Sequence, residues 1–116
     1  MGDVRDDVRA FALSLPEAVE DFPWGESVAK VRGKVFVFLG GSSAEGGRIT
    51  VKLVESHAHA LSVEGAEPTR YGLGRSGWVT VPLESAEVAV DVLRDWVEES
   101  YRIVAPKRLV AELDRR

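Results

Sequence analysis

Seven basic residues sit in the middle of this 116-residue chain: Lys30, Arg32, Lys34, Arg48, Lys52, Arg70 and Arg75. Between residues 30 and 75 they face only four acids, Glu45, Glu55, Glu64 and Glu67, whereas residues 1–29 hold seven acids against Arg5 and Arg9. The whole chain is net acidic, at −4, so it has no general attraction for nucleic acid or for an anionic membrane. A segregated basic stretch still permits a local phosphate-contacting face, provided the fold gathers it.

Other chemistries find fewer residues. The two histidines, His57 and His59, are two apart, and on a helix such a pair points to different sides, so they cannot easily share a metal or a proton. With no cysteine there is no thiolate nucleophile, disulfide framework or cysteine-ligated metal. No G-x-S-x-G elbow occurs, and no nucleophile, base and orienting group can be named together. The glycine-rich run from Gly40 to Gly47 lacks a following Lys-Ser or Lys-Thr and leads into a strand, so it reads as a hairpin connection and not a phosphate loop. No catalytic residue, metal ligand or cofactor is therefore expected.

The elements that must position the cations can be read from periodicity. Val4, Val8, Phe11 and Leu15 form one apolar helical stripe, with Asp3 able to cap it, Asp6 and Asp7 in its first turn, and Pro16 ending it. Residues 16–26 read as a loop carrying Phe22 and Trp24 on either side of Pro23. Such a tryptophan serves as a lid over the core or as a contact surface, and the lid is the expectation.

Val28–Val31 and Lys34–Leu39 read as a hairpin around Arg32-Gly33. A two-residue turn would pair Val31 with Lys34, and a three-residue turn would pair Lys30 with Lys34. The second is expected, because arginine is poor at the positive φ that a type I′ turn requires. Arg48–Val54 alternates, with Ile49, Val51 and Leu53 on one side and Arg48, Thr50 and Lys52 on the other. Ser56 opens a short helix closed by Gly65.

A short strand over residues 69–73 precedes a clear one at Trp78–Val81, where Trp78 and Thr80 oppose Val79 and Val81, and Pro82 ends it. A long amphipathic helix follows, with Ser85 as its cap and Val90, Leu93, Trp96, Val97, Tyr101 and Val104 on its apolar stripe. Pro106 breaks it and starts another.

Apolar residues make up 45% and charged residues 29% of the chain, as in ordinary globular proteins. No apolar run is long enough to cross a membrane, and the acidic start lacks a signal-peptide core. One cytoplasmic domain spanning residues 1–116 is expected. Its class is α+β: a two-layer sandwich with helices packed on one face of an antiparallel sheet, in the order helix, three strands, helix, two strands, helix. Its core is expected to include Phe11, Leu15, Val51, Leu53, Leu93 and Trp96, with Trp24 and Trp78 serving folding more than chemistry.

Several local runs are recognisable in order: Leu15-Pro16-Glu17, Phe22-Pro23-Trp24-Gly25, Lys30 to Phe36, Val51-Lys52-Leu53, Gly77 to Val81, Glu99-Ser100-Tyr101 and Ala105 to Leu109. Together they resemble the MmcQ/YjbR family of small bacterial proteins over about residues 5–113. The resemblance implies the same α+β arrangement, and DNA binding as the expected function. On the residues, that binding would run mainly through phosphates on a basic sheet and hairpin face formed by Lys30, Arg32, Lys34, Arg48, Lys52, Arg70 and Arg75. The alternative is a protein–protein adaptor without catalytic activity, using the aromatic loop at Phe22–Trp24.

Overall fold

The computed structural model describes residues 4–22, 27–40, 48–69, 76–83 and 88–116. In chain order the elements are α1 (Val4–Leu13), β1 (Ala18–Asp21), β2 (Ser27–Val31), β3 (Lys34–Gly40), β4 (Arg48–Lys52), α2 (His57–Leu61), β5 (Glu67–Pro68), β6 (Trp78–Pro82), α3 (Val90–Val104) and α4 (Lys107–Asp114). The strands make one six-stranded sheet in the order β1-β2-β3-β4-β6-β5, and every neighbouring pair is antiparallel. This is the expected α+β sandwich, with α1, α2 and α3 packed on the same side.

Several local expectations are corrected. Part of the supposed loop at 16–26 is strand: Ala18–Asp21 pairs with Val31–Val28 and forms one sheet edge. Local pattern hid it because the AVED segment is short and half polar, and only its partner makes it a strand. The hairpin register is the two-residue one, with Val31 opposite Lys34. Arg32 and Gly33 both take positive φ, at 53° and 81°. The strand twist favours a type I′ turn strongly enough to override arginine's reluctance. β5 lies at Glu67–Pro68, earlier than expected, and the Thr69 amide donates to the Trp78 carbonyl at 3.1 Å.

Asp3, Trp24, the 41–47 run, Arg70, Arg75, Ser85 and most of the 69–73 segment lie outside the described residues. α3 itself begins at Val90, with Ala89 in the cap position and not Ser85.

The core lies between the sheet and the helices. Leu15, Val51, Leu53, Leu93 and Trp96 are buried as expected. Phe11 is only half-buried, and the Arg94 guanidinium lies 6.0 Å from its ring centroid. Arg94 also pairs with Asp7, tying α1 to α3. Two register shifts shape β3 against β2, one at Leu39 and one at Phe36. Ala29 pairs with Val37 and Lys30 with Val35, leaving Phe36 as the extra residue. That bulge turns Phe36 inward beside Val37, and both are fully buried. Among the described residues no helix is long and apolar enough to cross a membrane.

Candidate nucleic-acid interface

The side of the sheet away from the helices carries two rows of side chains. The first is set by register: Asp21, Val28, Phe38, Thr50, Thr80 and Glu67 lie opposite one another across all six strands. The second, one step toward the β2–β3 turn, includes Val19 opposite Lys30, Lys30 opposite Val35, and Lys52 opposite Trp78. Strand alternation puts these residues on the outer face because their neighbours Ile49, Val51, Val79 and Val81 point into the core. Phe38 and Trp78 lean toward each other across β4, with ring centroids 5.5 Å apart in an edge-to-face contact, and both are half-buried. The Thr80 hydroxyl bridges those of Thr50 (2.9 Å) and Thr69 (3.1 Å).

The fold brings four of the seven expected cations to one end of this sheet. Lys30 and Lys52 lie two strands apart, about 10 Å by strand spacing. Arg32 and Lys34 sit at the adjoining hairpin tip but do not share that face: Lys34 lies opposite Val31, which points into the core, and Arg32 turns to the Glu17 that also meets Arg108 of α4, so the single sheet and hairpin face expected from the sequence is split. Lys30 is paired with Asp21 at 2.8 Å and Arg32 with Glu17 at 3.6 Å. Lys34 and Lys52 make no ion pair with another described residue. Arg48 is separated from this group. It lies at the opposite end of β4, beside Pro82 in register, and pairs with Glu67 at 3.8 Å.

The histidines diverge on α2 as expected. His59 sets its ring edge-to-face on Trp96 at 5.4 Å, and no group of three or more metal-binding side chains occurs among the described residues. A depression of about 380 Å³ between the β4–α2 turn and α3 is lined by Val54, Glu55, Asp95, Glu98, Glu99, Arg102 and Ile103. Its acids oppose an anionic ligand, and Arg102 is already held by Glu98 and Asp114.

The sequence sets Trp78 and Thr80 opposite Val79 and Val81 without showing which pair faces out, and it gives no sign of Phe38 beside Trp78; the structure turns Trp78 to the outer face, half-buried. Residues 35–39 are uniformly apolar, so nothing in that run distinguishes inside from outside. Sequence reasoning also missed what Glu99-Ser100-Tyr101 does. Each of these consecutive residues ties α3 to backbone elsewhere. The Glu99 carboxylate accepts from the amides of Val54 (2.8 Å) and Ser56 (3.3 Å). The buried Ser100 hydroxyl accepts from the Lys52 amide at 2.9 Å and donates to the Phe36 carbonyl, bridging β4 and β3 one step beyond the Val37–Val51 pair. The Tyr101 hydroxyl donates to the Pro16 carbonyl at 2.7 Å. These recognisable residues hold the sheet's shape and do not themselves form the basic face.

The carboxylates that make such bonds are shifted. Burial pushes Glu99 upward, but hydrogen bonds from the Ser56 hydroxyl and from the amides of Val54, Ser56 and Glu55 outweigh it and hold its pKa below the ordinary 4.5. Glu20 is likewise lowered from 4.5, first by its hydrogen bond from Arg9, against burial, and also by Ser27. A carboxyl depressed in the fold contributes stability that is present above its unfolded value and is lost as pH falls through the folded one. The urea midpoint should therefore hold steady near neutrality and fall progressively below about pH 4.5. Glu99→Gln should lose about 1 kcal/mol at pH 7, discounted for partial exposure, and should show a shallower acid slope than the parent. Parallel acid slopes for the two proteins would contradict this.

The combination of element order, antiparallel sheet and α3 tethers defines a YjbR-type α+β protein. The YjbR family model matches residues 13–103, and the chain belongs to that family. The fold is similar to the crystal structure of Deinococcus radiodurans protein DR2400, whose family-model domain is DUF419. That protein is 26% identical, with a TM-score of 0.68, and the match covers 85% of this chain and 76% of that one. No curated protein matches this chain.

Proposed function

We propose that this protein binds DNA, mainly through phosphates, using Lys30, Arg32, Lys34 and Lys52. The observation that supports this reading is that these four cations lie at one end of the sheet, Lys30 and Lys52 on its outer face and Arg32 and Lys34 at the hairpin tip beyond its edge, where Lys34 and Lys52 have no described ion-pair partner to give up. Arg48, at the far end of β4 and paired with Glu67, is a peripheral contributor, and Arg70 and Arg75 belong to the same net-positive stretch of sequence. The acidic outer side of α3, with Asp91, Asp95 and Glu98, argues against a recognition helix. Contacts to the backbone and not to base edges then follow, with little sequence preference.

Three to four phosphate contacts should give a log affinity against log salt slope of roughly −3 to −4 on duplex DNA. Removing the charge at Lys34 should weaken binding to every sequence alike and flatten that slope by about one. Titration of the purified chain with duplex DNA at several salt concentrations is the test. No binding at low salt, or binding untouched when Arg32, Lys34 and Lys52 are neutralised together, overturns the proposal. One observation favours a second reading in that event. Val19 and Phe22 are 56% and 58% exposed on and beside the edge strand β1, and an exposed aromatic there suits a protein partner.

A further inference from the structure

The outer sheet face holds aromatic rings as well as cations, and the phosphate reading does not use them. Trp78 sits directly opposite Lys52, and Phe38 packs edge-to-face on Trp78 at 5.5 Å. Both rings are half-buried, in the middle strands of the sheet, and α1, α2 and α3 pack on the other side. Tryptophan usually finds a place in the core. This chain instead fills its core at the same level with Val79 and Val81 and turns Trp78 outward. Hydroxyls of Thr50, Thr80 and Thr69 continue the row beside the rings.

Duplex DNA keeps its bases stacked inside and offers such rings nothing to stack on. A single strand offers a base face at every nucleotide, and base–aromatic stacking is largely indifferent to sequence. The charges also give the strand a track. Asp21 and Glu67 close the two ends of the row that contains Phe38, each already paired with a cation, Lys30 and Arg48, so a phosphate at Lys30 would take over from Asp21. Lys30 and Lys52 lie in the neighbouring row, with the hairpin cations Arg32 and Lys34 beyond them. A backbone following the lysine row would lay its bases toward Phe38 and Trp78.

We propose that the occupant of this face is single-stranded DNA, with Lys30 and Lys52 holding phosphates and Trp78, backed by Phe38, stacking a base. This inference rests on the phosphate-binding reading above and specifies its substrate. The full chain is titrated with a labelled twelve-nucleotide oligothymidine and with a duplex of the same length. The single strand should bind about tenfold tighter than the duplex, and Trp78→Ala should remove about that tenfold while leaving duplex affinity within about twofold. The single-strand salt slope should be shallower per contact, about −0.7 against −0.9 for duplex.

Trp78→Phe keeps a stacking ring and should retain most of the single-strand affinity. It also tests the idea without relying on the alanine variant's folding. Oligothymidine should quench part of the parent's tryptophan emission, and that part should be missing in Trp78→Phe. Duplex binding as tight as single-strand binding, or no quenching assignable to Trp78, overturns the stacking proposal and leaves the phosphate reading standing. No binding of either oligonucleotide at low salt overturns both.

Discussion

Tyr101→Ala should unfold the protein by about 3–5 kcal/mol less work, the loss typical of truncating a large buried aromatic. Tyr101 is fully buried, packs edge-to-face on Phe36 with centroids 5.2 Å apart, and donates its hydroxyl to the Pro16 carbonyl at 2.7 Å. Its removal therefore leaves a cavity beneath the bulge at Phe36 and also leaves a carbonyl without its donor at the turn into β1. Typical domains have only about 5–15 kcal/mol in hand, so the alanine variant should be the most damaged of those considered.

Tyr101→Phe separates the two contributions. It keeps the ring and loses only the hydroxyl, so it should cost about 1–2 kcal/mol. Urea denaturation of the three proteins measures both differences. A loss below about 1.5 kcal/mol for the alanine variant would mean that α3 does not depend on this anchor.

Gly77→Ala should be nearly as damaging, at about 2–4 kcal/mol, although it adds only a methyl group. Gly77 has φ of 94°, and a Cβ there would stand 2.8 Å from the Leu53 carbonyl oxygen. That oxygen belongs to backbone and cannot rotate away. The Leu53 amide in turn donates to the Gly77 carbonyl at 2.9 Å, so relieving the clash pulls apart the junction that sets β4 beside β6. Gly33 is the control. Its φ is 81°, but nothing lies within 4 Å of its added Cβ, so Gly33→Ala carries the conformational penalty alone, about 1 kcal/mol. Thermal melts of the two variants should differ plainly. Equal losses would show that close approach at Gly77 contributes nothing beyond its backbone angle.

These two positions share a pattern. Tyr101 and Gly77 both lie in the runs by which the sequence resembles its family, and both act on sheet geometry. Ser100 does the same, bridging β3 and β4 through the Phe36 carbonyl and the Lys52 amide. The sheet end that carries Lys30 and Lys52 is therefore held from behind by α3. Substitutions in these tethers are expected to disturb the basic face indirectly.

Much of the architecture was legible in the chain because periodicity is a local property. The stripes of α1 and α3, the alternation of Arg48–Lys52 and the opposed faces of Trp78–Pro82 each appear within a dozen residues. They led to an antiparallel sheet with helices on one side. The basic stretch from Lys30 to Lys52 was equally visible, since charge needs no fold to be counted.

Tertiary structure alone decided the rest, because each remaining feature depends on a partner distant in sequence. β1 is a strand only because Val28–Val31 offers it an edge. The hairpin took its two-residue register because strand twist outweighed the cost of positive φ at Arg32. Phe36 turned inward and Phe38 outward because of a bulge, and an unbroken apolar run carries no mark of one. The cations were divided in the same way. Four strands in sequence order set Lys30 and Lys52 at one level with Arg32 and Lys34 beyond them, while Arg48, four residues from Lys52, was carried along β4 to the other end of the sheet and paired with Glu67.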